Sequence, residues 1–449
     1  MTHSPLLINS TMNTSPFSSM ARKPHPMKKI SSLSLLSVFI FNTLFLNTLY
    51  ANTPTSPTTC DMSDYLTGNW GGARCDLEDH GVTLNSTYIT DAMDNFSGGR
   101  SQGFSHTDSL SISANFDLEK IMHWTGAEFF IDGTQGDGQE IAAKYIGSVF
   151  SPMEIYTTNS FMLNNLYYKQ FFKINKNTFF KLGRLASDDD FATNPIYSNF
   201  VSAEINANPG VLFFNSPFSA DSGSQWGAYG QVQAENFITK LAVYNTSDQV
   251  RKTEYHGTYF NLESNNGALL MLEEDYEIGE NFIKLPAEYS LGALYVTGNN
   301  QIKYQTNQKI SGNYGAYIQL IQQFTRPNGI SSTQGLSGFI SLVAFPSDRN
   351  QFPFYGQVGL SDEGLIKNRP LDSFNIAYLY GKFSQDYSNY QVSQGLLNQT
   401  YEAVYEINYK IQWAPWSYIQ PDLQIIQNPG GAHQYHNAWV AGTEFGVSF

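Results

Sequence analysis

The last twelve residues, Ala438 to Phe449, alternate with a period of two. Trp439, Ala441, Thr443, Phe445, Val447 and Phe449 share one face; Ala438, Val440, Gly442, Glu444, Gly446 and Ser448 share the other. Aromatic residues stand at both ends of the first row, while a carboxylate and glycines occupy the second. A strand with lipid on one side and water on the other has this pattern. A half-buried strand in a soluble sandwich alternates too, so the fold depends on whether the pattern recurs and closes. It recurs: alternating runs bounded by turn residues begin near Val82, Asp108, Gly126, Met162, Thr178, Trp226, Asn236, Asn266, Glu288, Gly312, Gly335, Pro353, Asp372, Thr400, Trp416 and Ala438. Sixteen is an even number, and roughly 25 residues per strand and connection suits a barrel with short turns at one end and long loops at the other. The expected fold is an all-β, antiparallel transmembrane barrel spanning 82–449.

Composition supports this. Charged residues are 14% of the chain, aromatic residues 15%, and mean hydropathy is -0.31. A soluble chain carries about 25% charge, whereas a helical membrane protein is far more apolar. Past residue 51 no apolar run reaches the roughly 18 residues that a spanning helix needs.

Near the amino terminus, Lys28 and Lys29 precede an apolar stretch from Ile30 to Leu49 that ends at Tyr50-Ala51-Asn52. Residues 1–51 read as a secretory signal peptide cleaved after Ala51. The Ser/Thr/Pro-rich stretch 1–26 reads as an extension ahead of a natural start at Met27. A permanent anchor is the competing reading, and it is weakened by eight Ser, Thr and Asn interruptions. Residues 1–51 hold four basic residues and no acidic ones, so the remainder has 21 basic against 39 acidic residues, net -18. That excludes nucleic acid as a partner, since phosphate binding requires a basic footprint. The two cysteines, Cys60 and Cys75, would be exported to an oxidising compartment, where a bridge across 15 residues is worth about 3 kcal/mol in the chain-entropy model. The alternative is two separate thiols; no Cys/His quartet suggests zinc.

Toward the carboxy terminus, Tyr401, Ala403, Tyr405, Ile407, Tyr409, Ile411 and Trp413 form an apolar row opposite Thr400, Glu402, Val404, Glu406, Asn408, Lys410 and Gln412. The second row, with Glu444, is expected to face a watery lumen. In Met162–Phe172 both rows mix polar and apolar residues. The segment Phe191–Ser219 has three prolines and no alternation, which makes it the candidate for a loop folded into the pore; a plain surface loop is the other reading.

Three segments carry a family resemblance. They are Leu66-Thr67-Gly68-Asn69-Trp70-Gly71-Gly72-Ala73-Arg74, continuing through Leu77-Glu78 to Gly81-Val82; Gly183-Arg184-Leu185 with Asp189-Asp190-Phe191-Ala192-Thr193-Asn194-Pro195; and Ile419-Gln420-Pro421-Asp422-Leu423-Gln424 with Asn428-Pro429-Gly430-Gly431. In order and spacing the chain resembles the carbohydrate-selective outer-membrane porins of Gram-negative bacteria, the OprB type. The resemblance implies a sixteen-stranded barrel, passive diffusion of mono- or oligosaccharides, and a segment at 52–81 packed as a plug or short helix near the lumen. Cys60 and Cys75 are not part of the family pattern.

A sugar-selective constriction needs donors and acceptors beside an aromatic face, and it must release its solute. Arg74, Glu78, Arg184, Asp189 and Asp190 supply the polar groups, with Trp70 and Trp226 as stacking surfaces. Each has an ordinary structural reading too: Arg74 and Glu78 holding the amino-terminal segment on the wall, Trp70 packing, Asp188 to Asp190 capping a turn. The aspartate trio lacks calcium-loop spacing, and neither a metal nor a cofactor is expected. His433 and His436 fall in a polar connection, and no G-x-S-x-G or H-E-x-x-H motif occurs, so catalysis is not expected. A non-selective porin, or a carrier for another small solute, is the alternative on the same fold. Other expected partners are outer-membrane lipid and the barrel-assembly machinery, which would read Phe449. Assembly of copies into a homo-oligomer, a trimer, is left open by the sequence.

Overall fold

The computed structural model describes residue 60 and residues 62–155, 159–175, 177–220, 222–263, 267–279, 285–298, 301–329 and 332–449. Residues 1–51, expected as a signal peptide with its extension, lie outside the described residues. Sixteen strands form a closed antiparallel barrel: Val82–Ser97, Gly103–Asp117, Ala127–Gly138, Phe161–Phe171, Phe179–Leu185, Gln225–Ala234, Phe237–Asn245, Ala268–Ile278, Ala287–Val296, Asn313–Gln323, Gly335–Ala344, Phe354–Glu363, Ser373–Lys382, Tyr401–Ala414, Ser417–Gln427 and Ala438–Ser448. The first strand pairs with the last, Thr87 opposite Ser448 and Asp91 opposite Glu444, so no edge is left. No helix among the described residues is long and apolar enough to cross a membrane.

The period-two pattern works because only one row of each strand meets lipid. Leu182, Leu241, Leu272, Leu291, Ile340 and Trp439 are exposed on the outer face. Two departures from the expected strands have clear causes. The second strand begins at Gly103 rather than Asp108, because its ladder with the first strand continues through Phe104, Ser105, His106 and Thr107, where the alternation is weak. In Phe161–Phe171 the rows mix because Asn164 and Asn165 together stand opposite Asp132, between the pairs Ile131–Leu166 and Gly133–Leu163. This bulge reverses the facing of every later residue. A small hairpin, Gln301–Lys303 with Gln308–Ile310, was not expected; three-residue strands carry no readable period.

The hydrophobic core lies inside the barrel. Phe150, Phe191, Tyr197 and Phe200 come from connections that turn inward, and they pack on Tyr229, Phe339, Phe352 and Tyr355 of the wall and its upper rim. Ring centroids are 5.0 Å apart for Tyr197 and Phe339, 5.6 Å for Phe191 and Tyr229, and 5.2 Å for Phe150 and Phe352. The expectation of a watery face at Glu402, Glu406 and Glu444 is therefore corrected: they are 0%, 1% and 2% exposed, because the inward connections cover them.

Candidate functional site

The connection between Leu185 and Gln225 enters the barrel, as its three prolines and missing alternation suggested. Its neck is closed by Ser187 and Ser219: the Ser219 amide donates to Ser187 Oγ at 2.7 Å, and the Ser187 amide to Ser219 Oγ at 3.1 Å. Inside, Asn194 caps a short 3-10 turn, Pro195–Asn199, by accepting from the Ile196 amide at 3.1 Å.

A non-repetitive segment buried in this way must find partners for its backbone groups. The inner row of the distant strands supplies them. Glu406 accepts from the amides of Val201 at 2.7 Å and Ser202 at 3.2 Å, and Glu273 from the amide of Ala192 at 2.7 Å. Gln319 donates to Ala192 O at 2.9 Å and Gln420 to Asn199 O at 2.9 Å. Tyr355 donates to Glu204 O at 2.6 Å. The preceding inward connection, described over 139–155, is held in the same way, with the amides of Val149 and Phe150 donating to Glu402 at 3.0 and 2.6 Å. The two connections meet where the Ser151 amide donates to Glu204 Oε1 at 3.2 Å. Burial pushes the Glu204 carboxyl up to about 8. Gly210 leaves room for it: a Cβ there would lie 1.8 Å from Glu204 Oε2.

These anchors fill the side of the barrel nearest the later strands and leave a cavity of about 400 Å³ against the first three. Ser109, Ser111 and Thr134 line it from the wall, and Asp188, Asn206, Asn208 and Ser222 from the inward connection. Glu154 adds a second carboxylate, and no Lys or Arg takes part. The wall here is thin because the second strand points a row of small side chains inward, Gly103, Ser105, Thr107, Ser109, Ser111 and Ser113. Ser111 and Thr134 are hydrogen-bonded at 3.1 Å, and Asn164 donates to Thr134 at 2.7 Å.

The residues singled out in the sequence fall in three places. Arg74, on the short helix Ala73–Asp79, is buried at the barrel seam, donating to Leu84 O at 2.8 Å and Phe449 O at 2.9 Å, with Tyr65 and Trp70 against its guanidinium at 3.5 and 4.9 Å. Glu78 offers its backbone carbonyl to Lys120 at 2.7 Å, and a disulfide joins Cys60 to Cys75 in the same segment. Arg184 and Trp226 face each other across two strands at the opposite end, beside Phe260; Arg184 donates to Ser224 O at 3.0 Å. Asp189 and Asp190 belong to the neck, accepting from Asn165 at 3.2 Å and pairing with Lys181 at 2.7 Å. None of these seven residues lines the 400 Å³ cavity; Asp188, next to the pair, does. The hydroxyl row was missed, although its signal was present in the sequence: serine or threonine at every second position from 105 to 113.

Comparison with known proteins agrees with this geometry. The model of a family described as carbohydrate-selective porin, OprB family, matches residues 101–449. Porin B of Pseudomonas aeruginosa is 26% identical over 426 residues, 86% of this chain and 92% of its own length. An Acinetobacter baylyi protein named as a porin, QuiX, is 28% identical over 418 residues, 86% and 93% of the two chains. The high-pH structure of Pseudomonas putida OprB superposes with a TM-score of 0.80 at 23% identity, covering 87% of this chain and 99% of that one.

Proposed function

The chain belongs to the carbohydrate-selective OprB porin family, and on that premise we propose the route by which sugar crosses it. The protein is a porin of the Gram-negative outer membrane, not an enzyme. With both ends of the barrel chain toward the periplasm, the two inward connections enter from the outside. Sugar passes between them and the first three strands, through the cavity lined by Ser109, Ser111 and Thr134 on one side and by Asp188, Asn206 and Asn208 on the other.

The observation that carries this reading is the contrast between the two halves of the lumen: one is packed with aromatic rings, while in the other Ser109, Ser111 and Thr134 on the wall leave a cavity between themselves and the inward connections. Hydroxyl and amide groups both donate and accept, which matches the hydroxyls of a neutral sugar in any orientation. Single hydrogen bonds of this kind are individually weak, so the solute leaves as readily as it enters. The charged side chains on the lining, Asp188 and Glu154, are acidic, which favours neutral over anionic solutes. Arg74 joins the two ends of the barrel, Asp189 and Asp190 fix the neck of the loop, the exposed outer row meets lipid, and Phe449 is read during assembly.

Liposome swelling with size-matched neutral sugars, amino acids and salts tests the reading. Ser111→Leu is expected to slow neutral monosaccharides several-fold more than small ions. Permeation ordered by size alone, in wild type and variant alike, would refute sugar selectivity.

A further inference from the structure

A second cavity, of about 330 Å³, opens at the end of the barrel opposite the chain termini. It shares no lining residue with the first: the short helix Val211–Asn215 separates them, with Phe213 on one side and Phe214 on the other. Asn215, Gln225 and Asn350 on its lining are 5%, 2% and 2% exposed.

Three features suit it to a ligand. First, Gln225 Oε1 is buried without a hydrogen-bond partner among the described residues, while Nε2 of the same amide donates to Pro217 O at 3.3 Å. A buried acceptor left unmatched is costly unless something else supplies the donor. Second, Phe214 is 41% exposed within a polar-lined space, offering an aromatic face that the fold does not cover. Third, the charges balance: Arg251 stands with Asp248 on the lining, and Arg349 is paired with Asp348 at 2.9 Å. An apolar face, an inward acceptor and balanced charge fit a neutral polyol better than an anion, a cation or a lipid tail. The volume lies at the lower end of small-molecule sites.

We propose that this pocket is an entry-side docking site for a neutral saccharide of one or two rings. The C–H face of the sugar lies on Phe214, and one of its hydroxyls donates to Gln225 Oε1. The site lies outside the permeation route and raises the local sugar concentration at the mouth.

Glucose and maltose titrated by calorimetry into the full-length barrel in detergent test the proposal, with folding of every variant verified by heat-modifiable electrophoretic mobility. Phe214→Ala and Gln225→Leu should each weaken binding at least five-fold while single-channel salt conductance stays at the wild-type value. Ser111→Trp, which fills the other cavity, should keep the binding and lose sugar flux into liposomes. Unchanged affinity in both pocket variants, or binding lost only in Ser111→Trp, would overturn the docking site. Sugar flux through the wild-type barrel is a separate readout, so either of those outcomes leaves the porin reading intact.

Discussion

Removing the Glu406 carboxylate should release the inward loop without opening the barrel. Glu406 is 1% exposed and accepts from the amides of Val201 and Ser202. In Glu406→Ala both amides lose their acceptor in a buried site, at a cost of about 1–3 kcal/mol each. Even a total of about 2 kcal/mol raises the population of a locally detached loop roughly thirty-fold, at about 1.4 kcal/mol per factor of ten. Hydrogen exchange at Val201 and Ser202 should accelerate by that factor, since local opening governs their exchange. The barrel ladder is untouched, so heat-modifiable mobility should be kept. Single-channel recordings should show larger and noisier conductance, because the packed half of the lumen becomes intermittently open. Glu406→Gln, which retains one acceptor oxygen, should fall between the two. Exchange at Val201 and Ser202 as slow as in the wild type, with unchanged conductance, would refute the idea that inner-wall carboxylates hold the loop.

Other expectations follow from the same contacts. The Glu204 carboxyl, pushed up to about 8 by burial, keeps a proton in the folded loop that the unfolded segment gives up near pH 4.5. Loop packing is thus fully supported below about pH 4.5 and loses that support as pH rises through about 8. Current noise should grow over this window in the wild type and be flat in Glu204→Gln; equal profiles would count against the assignment. Cys60→Ser removes a bridge worth about 3 kcal/mol in the chain-entropy model. It should speed proteolysis between residues 62 and 79 while leaving barrel melting unchanged. Deleting Phe449, whose amide donates to Ser86 O at 2.9 Å and whose carbonyl accepts from Arg74, should lower the yield of folded barrel more than the conductance of those that form, as read by heat-modifiable mobility and bilayer recording.

Fifteen of the sixteen strands begin within two residues of where alternation placed them. Lipid makes that signal strong: an outward polar residue is penalised at every second position, so the rows remain distinct. The exceptions are local. Asn164 and Asn165 break the period at a bulge, and Gly103 to Thr107 extend a strand through a stretch whose alternation is weak. The site was less legible. Arg74 and Arg184 stand out as charges in motifs, and each donates to backbone carbonyls, Leu84 and Phe449 for one and Ser224 for the other, away from the 400 Å³ cavity. The serine and threonine row from 105 to 113 is visible in the sequence, but the cavity it borders is not.

The sequence by itself determined a closed barrel, because alternation, even strand number and turn spacing are local properties that each segment carries alone. It also marked Phe191–Ser219 as a segment unable to be a strand. Only the tertiary structure decided which inward faces stay wet. Glu402, Glu406 and Ser111 all lie on inner rows, but the first two meet loop amides from residues 149–150 and 201–202, while Ser111 borders a cavity. A row's polarity reports that it faces inward. Whether water or backbone satisfies its hydrogen bonds depends on where a distant loop comes to rest, and that is set by contacts across some two hundred residues of chain.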